Sequence, residues 1–64
     1  MLEIDLKNAV NNPEVMNFST MLFRLMLKAD SSNIEKLGLV YPEHKHLYDR
    51  YRDGANVFAS LYDE

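Results

Sequence analysis

The sequence contains no cysteine and no tryptophan, and it has only two glycines and two prolines in 64 residues. The absence of cysteine excludes disulfide bonds and thiolate zinc sites. A domain of this size buries only about 60% of the surface that its unfolded chain exposes, so its core is marginal. Self-association or binding to another protein is therefore the expected source of additional stability, unless helix packing alone suffices.

Strong charge of one sign and long hydrophobic runs are also missing. Seven basic residues and ten acidic ones give a net charge of −3. This net charge is ordinary for a soluble protein and does not indicate the basic surface that binds nucleic acid. A small nucleic-acid-binding regulator is thus the alternative, not the expectation. No apolar run approaches the ~20 residues of a membrane span, and "MLEIDLKN" carries acids where a secretory leader is basic. We expect one cytoplasmic domain, residues 1–64, with no membrane partner.

The first half of the chain predicts two helices. In residues 2–11 the apolar residues alternate with polar ones as in a strand, but their spacing also fits one face of a helix. We favour a helix, because no second strand is available for pairing. In "NNPEV", Asn12 can serve as an N-cap and Pro13 suits the first helical position. The second helix is therefore predicted over about 13–29.

The second half predicts at least two more helices. Asp30 or Ser32 can cap a helix that ends near the Tyr41–Pro42 pair. Pro42 then opens another helix, whose apolar phase continues to Tyr62. Gly54 either lies inside that helix or ends it, and its low helix propensity favours a break. The predicted fold is all-α: a compact bundle of three to five short helices around a central apolar helix at about 13–29.

Helix 13–29 is apolar around most of its circumference, which predicts burial on most sides. One stripe is predicted to form the core: Val15, Phe18, Leu22, Leu25, Met26 and Ala29. A second stripe is formed by Met16, Phe23 and Leu27. It is either further core or a contact with another chain, and a symmetric homodimer is the simplest form of that contact.

The candidate interface extends this second stripe with the polar strip beside it and with two tyrosines. Tyr48 and Tyr51 are interpreted as half-buried residues at the rim of the core, with an interface role as the alternative. The complete candidate set is Met16, Phe23, Leu27, Arg24, Lys28, Tyr48 and Tyr51.

No pattern for catalysis, metal binding or cofactor binding is found. His44 and His46 are two residues apart, so on a helix they point in nearly opposite directions and do not chelate one ion. We expect His44 at the edge of the core and His46 in solvent. Asp49 and Asp53 fit a solvated helix face. There is no phosphate-binding loop, serine elbow or Cys–His pair. We therefore expect a non-enzymatic protein with no cofactor and no metal.

One segment carries a resemblance. From Phe23 to Tyr51 an apolar helix end is followed by the pattern K-A-D-x-x-N-x-x-K-L-x-x-x-[FY]-P-E and an aromatic-rich helix. Its residues are Lys28, Ala29, Asp30, Asn33, Lys36, Leu37, Tyr41, Pro42 and Glu43, then Tyr48 and Tyr51. This segment resembles short uncharacterised helical proteins of bacterial phages and prophages. Very small phage proteins commonly bind a host protein. The resemblance thus implies a helical protein that binds a host protein, such as an inhibitor of a host defence system or host enzyme in the bacterial cytoplasm. A structural or accessory subunit of a larger complex is a further alternative.

Overall fold

The computed structural model describes residues 1–61, apart from the side chain of Ser60. It contains four α-helices in chain order, followed by a short 3₁₀ turn. They are α1 (Leu2–Asn11), α2 (Phe18–Lys28), α3 (Ser31–Val40), α4 (Pro42–Arg52) and the turn Ala59–Leu61. The predicted all-α bundle is confirmed, and residues 2–11 form a helix rather than a strand. Tyr62, predicted to share the phase of the last helix, lies outside the described residues.

The core is shared by all four helices. α2 contacts α1, α3 and α4, as the predicted bundle around this helix requires, and α4 likewise contacts all three other helices. α1 packs mainly on α2, and α3 packs mainly on α4. The buried apolar side chains are Leu6, Leu22, Phe23, Met26, Ile34, Leu47, Tyr48 and Val57. Because they come from every helix and from the C-terminal segment, the described elements depend on one another for burial.

The predicted start of the central helix at Pro13 is wrong. Asn12 is the C-cap of α1, and its backbone N–H donates to the Asn8 carbonyl at 2.8 Å. Pro13 follows this cap, in the position where proline prevents a helix from continuing. A turn leads on to Asn17, which adopts an extended conformation, and α2 starts at Phe18. Pro13 therefore ends one helix and does not begin the next.

The predicted bounds of α3 and α4 are confirmed. Of the two candidate caps, Asp30 is the one used: its carboxylate accepts a 2.8 Å hydrogen bond from the Asn33 N–H. Pro42 occupies the first turn of α4, where its missing N–H costs nothing.

Gly54 ends α4 in a Schellman motif. Its φ is +91°, a conformation that glycine adopts without steric cost. The Gly54 N–H donates to the Tyr51 carbonyl at 3.1 Å, and the Ala55 N–H donates to the Arg50 carbonyl at 3.0 Å. The expected break at Gly54 is thus confirmed. The chain then turns back and buries Val57 in the core.

The buried face of α2 differs from the predicted one. Phe18 and Leu25, predicted to lie in the core, are 66% and 53% exposed, whereas Phe23 is fully buried. The reason is the position of α1, which packs on the side of α2 that carries Thr20 and Arg24. Hydrogen bonds from these two side chains to α1 mark that contact. Burial of this side turns Phe18 and Leu25 outward.

Candidate protein-binding surface

Two of the predicted interface residues lie in the core. Phe23 is fully buried, and Tyr48 is 3% exposed. Neither presents a surface to another chain, so their assignment to the interface is corrected. Phe23 packs against the His44 ring with centroids 4.9 Å apart. Tyr48 accepts a 3.2 Å hydrogen bond from Nη1 of Arg52, whose guanidinium also lies over the tyrosine ring.

Arg24 is occupied within its own chain. Its guanidinium donates to two backbone carbonyls at the end of α1, Asn8 at 3.5 Å and Asn12 at 3.2 Å, and to the Val15 carbonyl in the following segment at 3.1 Å. The carbonyl end of a helix carries its negative partial charge, which favours a cation there. Arg24 therefore caps the end of α1, and its guanidinium is engaged within its own chain.

The remaining predicted residues differ in their exposure. Met16 is exposed in the segment before α2, and Leu27 is only just exposed. Leu27 lies nine residues after Phe18. Because successive residues of a helix are about 100° apart, these two side chains point to opposite sides of α2. Tyr51 is half-buried against the core and packs on Phe58, with ring centroids 5.8 Å apart. Lys28 is exposed at the end of α2.

A different apolar surface is left open on α2. Phe18, Met21 and Leu25 are all large, apolar and substantially exposed. Their spacing of three and then four residues places them on one face, as in the contact seam of a coiled coil. We call these three residues the α2 ridge. Sequence reasoning placed two of them in the core. An assignment of Pro13 to the end of α1 corrects this prediction, because α1 then packs on another side of α2 and leaves the ridge exposed.

The two ends of the α2 ridge have different neighbours. At its N-terminal end, the Phe18 ring packs on Tyr41 with centroids 5.8 Å apart. At its C-terminal end, Leu25 lines an open cleft of about 550 Å³ between α2 and α3. The other residues of this cleft are Lys28, Ala29, Asp30, Asn33 and Leu37. The surface thus has an aromatic projection at one end and an apolar cleft with a polar rim at the other.

The second exposed apolar site is less continuous. Leu39 is 85% exposed, and Val40 beside it is 68% exposed. Leu39 lies with Ser32, Glu35 and Lys36 on the polar face of α3. Isolated apolar residues of this kind are common on protein surfaces and carry little information about binding. Leu39 is therefore a useful control position for the α2 ridge.

Within the described part of the chain, Ser19 and His44 form the side-chain pair that most resembles a chemical site. Ser19 Oγ lies 2.5 Å from His44 Nε2, and the His44 ring packs between Phe23 and Tyr41. A serine activated by histidine also requires a third group that orients the imidazole. No carboxylate among the described residues bonds this ring. The pair instead connects α2 to α4. As predicted, His44 lies at the edge of the core and His46 is exposed.

The charged side chains of the described residues engage mainly with one another and with nearby polar groups. Among residues 1–61, no group of three or more histidine and carboxylate side chains is placed to hold a metal ion. Several basic side chains are already engaged: Arg24 with carbonyls, Lys45 with Asp49 at 2.6 Å, and Arg52 with Tyr48. No helix in the described part of the chain has both the length and the hydrophobicity of a membrane span.

Comparisons of the chain with protein-family models, curated proteins and solved structures found no match. The α2 ridge is the candidate binding surface of this chain.

Proposed function

We propose that this chain is a non-enzymatic protein-binding module and that the α2 ridge is its binding surface. The observation that carries the proposal is the exposure of Phe18, Met21 and Leu25 on a single helix face. The core does not need these side chains, because Leu22, Phe23 and Met26 of the same helix already fill it. Contiguous exposed apolar surface of this kind usually marks a contact with another protein.

The cleft beside the ridge supports the same proposal. Leu25, Ala29 and Leu37 give it apolar walls, and Lys28, Asp30 and Asn33 give it a polar rim. Protein interfaces combine an apolar centre with a polar rim in this way, and an inserted side chain is their usual energetic centre.

A finer form of the proposal concerns the biological role. The resemblance of the segment from Phe23 to Tyr51 to short phage proteins supports an inhibitor of a bacterial defence system or host enzyme. Such a protein acts in the cytoplasm of the host cell and blocks its target by binding it. This form of the proposal predicts that one bacterial protein is retained by the chain.

Affinity purification from a bacterial lysate tests both forms. Tagged wild-type protein is compared with Leu25→Lys, which places a charge on the ridge, and with Leu39→Lys as the matched control. Mass spectrometry is expected to find one protein in stoichiometric amount with the wild type and the control, and to lose it with Leu25→Lys. Equal recovery by Leu25→Lys would overturn the ridge as the binding surface. Absence of any stoichiometric protein would overturn the inhibitor role.

A further inference from the structure

We draw no further inference here: the strongest candidate, the apolar cleft between α2 and α3 that Leu25 and Leu37 line at the C-terminal end of the α2 ridge, belongs to the binding surface already proposed, and nothing in the structure shows what covers it.

Discussion

Nη2 of Arg24 lies 3.2 Å from the carbonyl oxygen of Asn12, the residue that ends α1. Nη1 of the same side chain lies 3.1 Å from the Val15 carbonyl oxygen in the segment that follows. One side chain of α2 therefore binds both the end of α1 and the connection between the two helices. This explains why a single cation interrupts the apolar run of α2: a guanidinium provides several donors in a fixed plane, which suits several converging carbonyls.

Replacement of Arg24 by Met should destabilise the fold. The methionine keeps the apolar stem but removes three hydrogen bonds to backbone carbonyls, although the Asn8 and Asn12 carbonyls each keep a backbone N–H donor. Hydrogen bonds to charged groups contribute roughly 1.5–3 kcal/mol when buried. Since Arg24 is half-buried, we expect a loss of about 1–2 kcal/mol in the free energy of unfolding, measured by urea denaturation.

Two further variants complete this experiment. Arg24→Lys should recover only part of the loss, because an ammonium group cannot reach several carbonyls in one plane. Arg50→Met, at an exposed position of α4, should change stability by less than about 0.5 kcal/mol. An Arg24→Met protein as stable as the Arg50→Met control would show that the cap contributes nothing.

The Ser19–His44 hydrogen bond should couple α2 to α4. We expect Ser19→Ala to cost about 1 kcal/mol. His44→Ala should cost more, because it also removes the ring that packs between Phe23 and Tyr41. A double-mutant cycle should give a coupling energy of at least about 0.5 kcal/mol, whereas His46→Ala should be nearly neutral. Strictly additive effects of Ser19→Ala and His44→Ala would contradict a direct interaction.

Helix bounds were predictable where the signal is local. Asp30 as a cap, Pro42 as a helix start and Gly54 as a break each follow from the backbone chemistry of one or two residues. Pro13 was misassigned, because proline is favoured both at the first position of a helix and just after the end of one. Pro13 follows a helix end only if α1 extends to Asn11. The extent of α1 depends in turn on its long-range contacts with α2.

The orientation of α2 was not predictable from its own sequence. A helix that is apolar on most sides has no strong preference for one buried face. The face that is buried depends on where α1 packs, and hydrogen bonds from Thr20 and Arg24 mark that side of α2. This is why Phe23 was assigned to an interface and lies in the core, while Phe18 and Leu25 were assigned to the core and lie on the surface.

Gly54→Ala should destabilise the end of α4. The space around Gly54 is open, so a methyl group meets no neighbour. The cost comes from the φ of +91°, which a residue with a Cβ adopts only with strain. We expect a loss of about 1 kcal/mol in the free energy of unfolding, as for other substitutions at positive φ. Asn56→Ala, at an exposed position nearby, is the control. Equal stability of the two variants would contradict the role of Gly54 in the Schellman motif.

The Lys45–Asp49 ion pair should be visible in the titration of Lys45. The hydrogen bond that the Lys45 Nζ donates to the Asp49 carboxylate is the main cause that raises the pKa of Lys45 above its ordinary 10.5, and Glu35 adds a smaller contribution. Stability from a raised lysine pKa is fully present below pH 10.5 and is lost as the pH rises through the higher value of the folded state. Asp49→Asn should therefore lower the Lys45 pKa and reduce the loss of stability in that alkaline range. NMR titration of the Lys45 Nζ measures the pKa directly, without interference from the tyrosines. Glu35→Gln should lower it less, and a larger effect of Glu35→Gln than of Asp49→Asn would refute this assignment.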